Sequence, residues 1–304
     1  MDLQEKNSPL VSIIVITYNS EKYVLETLES AKAQTYQNIE LIVSDDGSTD
    51  NTVEICRKWI EENKDRFVRT ELISVEKNTG IPSNCNRGLR AAKGEWIKYC
   101  AGDDILEKNI LEVYINYANS KPNVSCMYSN IIEFKDTFSE GNLLPIKDIS
   151  SHAINKPDIT ALEQFNILLK NNPVWAATLF IKRDALLQVN GYNEMYKFFE
   201  DRPILLSLTK NGYKIHFLNI IGAYYRRHKK SIQVKEKDVF ISGFEEDRQR
   251  FFIKEYINYY TKREQFKMKY LLAKNMIIKK ITGNSNNLVI KSISKILELP
   301  LKFL

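Results

Sequence analysis

Gly94-Glu95-Trp96-Ile97-Lys98-Tyr99-Cys100-Ala101-Gly102-Asp103-Asp104 is the stretch that decides how this chain folds. Trp96 to Cys100 has the make-up of a short buried strand, and it stops on a small-residue turn carrying two adjacent carboxylates. In an open α/β sheet, ligands bind in the crevice beyond the carboxyl ends of the strands. Two carboxylates at that edge suit a divalent cation that also holds phosphate oxygens, because hard cations take oxygen ligands. Taken alone, the same pair reads more readily as a solvated Asp-Asp turn. The preceding eighty residues favour the cation.

Leu10 to Ile16 is an almost unbroken aliphatic run, as expected of a strand covered on both faces in a parallel sheet. It ends on Thr17-Tyr18-Asn19-Ser20, and Tyr23 to Ala33 follows with apolar residues at helical spacing. Ile39 to Val43 is a second such strand, running into Ser44-Asp45-Asp46-Gly47-Ser48-Thr49-Asp50 and a helix for which Asp50 is placed as the N-cap. Arg69 to Val75 reads as a third strand, broken by Asn78-Thr79-Gly80, and Ser83 to Ala92 as a helix closed by Gly94. Strand and helix thus alternate up to the carboxylate turn, which predicts an α/β fold with a doubly wound, mostly parallel sheet flanked by helices. Three polar turns then share one sheet edge with Asp103 and Asp104.

Beyond the turn, Leu106 to Ala118 reads as helix, Val124 to Phe134 as strand, and Lys135 to Pro157 as a long polar loop without periodicity. Ile159 to Leu169 is helical, Thr178 to Ile181 a short strand and Gly191 to Glu194 a turn. Glu200-Asp201 opens a helix that runs to about Thr209, and Tyr213 to Ile220 is the last core strand, before a basic loop from Arg226 to Lys229. His152 and His216 read as ordinary loop and strand residues.

The chain has 304 residues and a net charge of +6, yet residues 251–304 hold 11 Lys and Arg against 3 acids, so the rest is slightly acidic. A nucleic-acid binder should carry its basic surface on the folded domain, so nucleic acid is excluded as a partner. Cys56, Cys85, Cys100 and Cys126 have neither zinc nor C-x-x-C spacing and read as reduced thiols of a cytoplasmic protein. The polar Met1 to Pro9 stretch is no signal peptide, and no window approaches 18 apolar residues.

G-x-G-x-x-G after the first strand and G-x-x-x-x-G-K-[ST] are both absent, which removes dinucleotide dehydrogenases and P-loop ATPases. A nucleoside diphosphate remains a fitting ligand. Ile-Ile-Val-Ile-Thr-Tyr-Asn (13–19), Val-Ser-Asp-Asp-Gly-Ser-Thr-Asp-Asn-Thr (43–52), Asn-Thr-Gly-Ile-Pro-Ser-Asn-Cys-Asn-Arg-Gly-Leu (78–89) and the opening stretch, in this order and spacing, resemble the family-2 glycosyltransferases of GT-A fold, over about residues 10–232.

The resemblance implies a metal-dependent, inverting transfer of a sugar from a nucleotide sugar, UDP-linked by preference, to a glycan or lipid-linked glycan acceptor, as in bacterial surface-polysaccharide synthesis. It places the nucleobase and ribose against Thr17, Tyr18, Asn19 and Asp45, with Asp46 bracing the loop. Gly80 permits close backbone approach, and Asn84 either reaches the nucleotide or caps a helix start. Where family members often read Asp-Ala-Asp-Asp, this chain reads Ala101-Gly102-Asp103-Asp104. The implied metal ligand, for Mn²⁺ or Mg²⁺, is therefore Asp103, with Asp104 assisting. The family's Ala-Arg-Asn stands here as Asn84-Cys85-Asn86, without the arginine. The implied base is Asp201, with Glu200 beside it. In the Tyr-Arg-x-His pattern at 225–228, His228 is a metal or diphosphate contact and Arg227 a phosphate partner, the alternative being a solvated basic loop. Trp175 is either a sugar platform or a core residue.

These assignments divide the chain into a glycosyltransferase domain at 1–235, with a nucleotide half at about 10–104 and an acceptor half at about 105–235, and a basic helical region at 236–304. Val289, Ile293, Ile296 and Leu297 line one face of the last helix beside Lys291 and Lys295. That face suits an anionic membrane surface, which would make the protein peripheral on the inner face of the cell membrane, and it equally suits packing on its own domain or on a second subunit. Two rival functions stay open: a non-catalytic nucleotide-sugar-binding homologue and a sugar nucleotidyltransferase.

Overall fold

The computed structural model describes residues 8–121, 123–228, 239–285 and 287–299. Residues 1–7, Lys229 and Pro300 lie outside the described residues. The chain divides into two units, Met1–Glu194 with Glu200–Arg227, and Met195–Phe199 with His228–Leu304.

The first unit is built on one eight-stranded sheet in the order β3-β2-β1-β4-β7-β6-β8-β5. Strands β1 (Val11–Thr17), β2 (Ile39–Asp45), β3 (Arg69–Ser74) and β4 (Trp96–Ala101) are mutually parallel. They are linked by α1 (Val24–Lys32), α2 (Thr52–Asn63) and α3 (Ile81–Ala91), the βαβ winding that the aliphatic runs require. Because helices cover these strands, β2 is buried along its whole length. Trp96 stacks on Phe180 at 4.8 Å, and Phe180 on Tyr114 at 5.1 Å, extending this core across the sheet.

Residues 105–227 depart more from expectation. A two-residue strand β5 (Ile105–Leu106) precedes α4 (Ile110–Ser120), where a helix from Leu106 was expected. It forms because Ile105 and Leu106 pair antiparallel with Tyr224 and Ala223. Strand β6 (Cys126–Lys135) leads to the long loop, which holds only two single-turn 3₁₀ segments among its described residues. Then come α5 (Ala161–Leu168), β7 (Phe180–Lys182), α6 (Arg183–Gln188) and α7 (Asp201–Lys210). Thr178, expected in a strand, sits in a 3₁₀ turn instead. Strand β8 (Ile215–Arg227) runs seven residues past its expected end at Ile220. Its extension is held by parallel pairing to β6 on one side and antiparallel pairing to β5 on the other. Arg226 and Arg227 are therefore strand residues, not a loop.

The second unit contains α8 (Gly243–Glu255), α9 (Lys262–Thr282) and α10 (Leu288–Glu298). Phe199 packs its ring on Phe244 and Phe251. Ser242, Thr261 and Asn287 cap the three N-termini by accepting backbone N–H bonds, and Gly283 ends α9 in the left-handed conformation. All four cysteines are buried and free. No helix among the described residues is long and apolar enough to cross a membrane.

Candidate active site

Three turns meet at the carboxyl ends of β1, β2 and β4, and each is tied to its neighbours by side chains. Asn19, at φ 53°, accepts the Thr49 backbone N–H at 2.8 Å, while its own N–H donates to Ser48 Oγ at 2.8 Å. Asp45 is fully buried and accepts from Thr17 Oγ1 (2.8 Å), the Ser48 backbone (2.9 Å) and the Ser48 hydroxyl (2.5 Å). Asp46 accepts from Thr79 N (3.0 Å), Gly80 N (2.8 Å) and Arg87 (3.0 Å). The candidate nucleotide residues Thr17 and Asp45 thus form the frame of the loop, and Tyr18, 47% exposed, is the one whose ring stands in solvent.

Gly80 is the residue before α3, and its φ of 100° is in the region that favours glycine. The helix begins at Ile81, two residues earlier than expected, with Pro82 tolerated in its first turn. Asn84 is consequently inside the helix and caps nothing: its Oδ1 accepts from Ser44 Oγ (2.6 Å) and Arg87 (2.8 Å), joining α3 to the end of β2. Asp50 accepts from Thr52 N (3.0 Å) and Glu21 N (3.3 Å), while Asn51 takes the N-cap position of α2 without a side-chain cap bond.

The carboxylate turn packs against the first loop. Gly102 donates its N–H to Ile16 O, and a Cβ there would lie 2.8 Å from Thr17 Cγ2 and 3.1 Å from Ser20 Oγ, so only glycine fits. Asp103 is half-buried, whereas Asp104 is 3% exposed and accepts the Arg226 backbone N–H at 2.9 Å. Burial, then the neighbouring Asp103 charge, push the Asp104 carboxyl well above the ordinary range.

Arg226 organises this turn. It is 1% exposed, donates from Nε to Asp103 O (2.8 Å), from Nη1 to Asp136 O (2.7 Å) and from Nη2 to Glu26 (2.9 Å), and lies over the rings of Tyr23 (4.4 Å) and Phe138 (4.1 Å). Arg227, expected at the phosphate, pairs with Glu133 through its Nε at 2.9 Å. Glu133 also holds Lys147 (3.4 Å), whose ammonium lies 5.5 Å from the Trp175 ring. Trp175 is half-buried, with an indole Nε1 that is buried without a partner among the described residues. His228 is buried and belongs to the second unit.

Glu200 and Asp201 stand at the start of α7. Asp201 accepts from Asn172 Nδ2 (2.9 Å) and the Arg202 N–H (2.6 Å). Burial first, and Asp201 second, raise Glu200 to about 8; burial also raises Asp201. Burial and mutual repulsion together favour one proton retained by the pair. The Tyr225 phenol is pushed up by burial and then by the charges of Asp104, Asp103 and, more weakly, Glu200. Three residues here escaped the sequence reading: Arg226, Arg87 and Lys98. Lys98 is fully buried and donates to Tyr99 O (2.7 Å) and Ala177 O (2.6 Å), and burial lowers it to about 8.

A divalent cation fits this edge in one way. Asp103 offers the accessible carboxylate with Asp104 behind it, and among the described residues no group of three His, Cys, Asp or Glu would hold a metal unaided. Phosphate oxygens of a donor would have to complete the shell.

The sequence model described as Glycosyl transferase family 2 matches residues 12–189. This chain belongs to that family. The match takes in the three turns and the carboxylate pair of this glycosyltransferase and stops short of Glu200 and Asp201. Among its relatives are Glycosyltransferase GlyG of Streptococcus pneumoniae serotype 4, 28% identical over 76% of this chain and 75% of that one. Another is UDP-Glc:alpha-D-GlcNAc-diphosphoundecaprenol beta-1,3-glucosyltransferase WfaP of Escherichia coli, 29% identical over 75% and 81%. S. aureus TarS 1–349 in complex with UDP-GlcNAc shares the fold, with TM-score 0.63, 21% identity and coverage of 88% and 72%. So does the Pyrobaculum calidifontis mannosyltransferase PcManGT in complex with GDP-Man and Mn²⁺, at 0.58, 16%, 97% and 82%. The glycosyltransferase has the GT-A arrangement of these structures, and the nucleotidyltransferase reading falls with this membership.

Proposed function

We propose that this glycosyltransferase is metal-dependent and inverting, and that it moves a sugar from a UDP-sugar to a hydroxyl of a glycan or lipid-linked glycan at the inner face of the cell membrane. The observation that carries this reading is the presence in the first unit of two carboxylate pairs, Asp103 with Asp104 just after β4 and Glu200 with Asp201 at the start of α7. Likeness to WfaP and to the TarS complex with UDP-GlcNAc supports a UDP-sugar donor, and likeness to WfaP a lipid-diphosphate-linked acceptor.

On this reading the nucleobase stacks on the exposed Tyr18 ring and the ribose lies over the Thr17–Asn19 turn. Asp103 and Asp104 would hold Mn²⁺ or Mg²⁺, which when bound neutralises the departing diphosphate. Asp201 takes the proton from the acceptor hydroxyl as its oxygen attacks the anomeric carbon from the face opposite the diphosphate. The Asn172 and Arg202 N–H bonds oppose the upward push of burial on Asp201 and so favour its ionised, acceptor-only form. Glu200, keeping its proton, leaves one negative charge at the pair. On the acceptor side we assign Trp175, with the glycan ring against the indole, and Arg227, which is linked to it through Glu133 and Lys147.

Calorimetry of UDP- and GDP-sugars with and without Mn²⁺, followed by UDP release with an acceptor pool, tests the reading. Mn²⁺-dependent binding of a UDP-sugar is expected. No affinity for any nucleotide sugar with either ion would overturn it.

A further inference from the structure

Helices α9 and α10 form an antiparallel hairpin: Tyr270 Oη donates to Leu297 O at 2.6 Å, and Lys274 Nζ to Ser294 Oγ at 2.7 Å. Ile278 of α9 and Ile290 of α10 are buried. Ile277 and Ile281 stand one residue before and three after Ile278, and Val289 and Ile293 stand likewise around Ile290. On antiparallel helices, equal offsets from the packed positions fall on the same side of the pair. All four are exposed, Ile281 at 78% and Val289 at 67%, and Leu288 and Ile296 add to them at 81% and 62%. The sequence foresaw the α10 half of this face; the α9 half and its solvent exposure come from the hairpin geometry.

Charge decides between occupants. From Met276 to Leu297 the chain has four lysines and no acidic residue, and because Lys279 pairs with Glu246 at 2.5 Å the charge available to a partner rests on Lys280, Lys291 and Lys295. A second copy would set lysines against lysines across a two-fold contact. An anionic lipid surface takes the aliphatic side chains into its acyl boundary while the lysine stems carry their charges to the phosphates. We infer that the turn end of the α9–α10 hairpin docks this glycosyltransferase on an anionic membrane. The inference deepens the reading of a lipid-linked acceptor, since docking brings the enzyme to the surface where such an acceptor resides.

Flotation of the full chain tests this, using phosphatidylcholine vesicles with and without 30% or so phosphatidylglycerol at low and high salt. The chain is expected to float with the anionic vesicles and to be released by salt. Lys291→Glu with Lys295→Glu should lower partitioning by about 25-fold or more, taking about fivefold per lysine. Val289→Asp with Ile293→Asp should lower it at least about tenfold on the same vesicles. Wild-type levels of flotation by both double variants would overturn the inference. So would a lipid-free dimer in analytical ultracentrifugation that Val289→Asp with Ile293→Asp dissolves. UDP-sugar binding measured on the same proteins reads the proposed donor function separately, so loss of one does not masquerade as loss of the other.

Discussion

Replacing Arg226 tests the construction of the carboxylate turn most directly. Its guanidinium joins the Asp103 carbonyl, the Asp136 carbonyl and Glu26, so three separate segments lose a common partner when it is removed. Truncating one member of a buried ion pair costs about 3–5 kcal/mol. The low end applies here because Glu26 is half exposed and water can replace part of what it loses. For a unit of this size each kcal/mol shifts Tm by about 2–4 °C, so Arg226→Met should melt roughly 6–12 °C lower. Arg226→Lys keeps the charge but cannot serve three directions from one planar fork. It should melt nearer to wild type, yet bind UDP-sugar in the presence of Mn²⁺ about tenfold more weakly, since about 1.4 kcal/mol suffices for that. Differential scanning fluorimetry and titration calorimetry measure the two effects. Wild-type Mn²⁺-dependent affinity in a folded Arg226→Met protein would refute the reasoning, because the turn would then hold its shape without the arginine.

The remaining predictions concern the same edge. Asp201→Asn should lower kcat by about 10²–10⁴ while leaving donor Kd unchanged, in a UDP-release assay paired with calorimetry. Glu200, raised to about 8 against an ordinary value of 4.5, makes the folded state bind the extra proton between those values. Its contribution to stability is therefore complete below about 4.5 and lost as pH rises through about 8, at no more than about 1.4 kcal/mol per pH unit. Glu200→Gln should flatten denaturant-melt stability over that window and remove a kcat/KM limb near pH 8. Gly102→Val should weaken UDP-sugar binding by at least tenfold, because its Cβ meets Thr17 at 2.8 Å before any γ-carbon is placed; calorimetry beside a melting curve separates this from unfolding.

The first four strands were legible because their aliphatic runs and turn residues agree at every step, and the helices between them make them parallel. The end of β8 was not. Gly222 and the charged Arg226-Arg227 pair interrupt the hydrophobic pattern, and what keeps that segment extended is pairing to β5 and β6, far away in sequence. The same non-local contacts conceal Arg226, since its partners Glu26 and Asp136 lie 200 and 90 residues off. Had 221–227 been read as strand, alternation would have put Arg226 on the Tyr224 face and apart from Arg227. Asn84 shows the converse case: a start two residues earlier turns a plausible cap into a buried strut. Lys98 gave no warning because a lone lysine in an aliphatic strand ordinarily marks a solvent face, and only the Ala177 carbonyl explains it.

Asp45 and Asp46 have consequences for recognition thermodynamics. Their oxygens are engaged with Thr17, Ser48, Thr79, Gly80 and Arg87 before any visitor arrives. The cradle is thus pre-shaped, and docking of a donor need not recruit wandering backbone there, so the entropic toll of ordering falls on the visitor alone. A modest heat-capacity change, scaled to the ring surface covered at Tyr18 rather than to coupled folding, is the calorimetric fingerprint of such a lock.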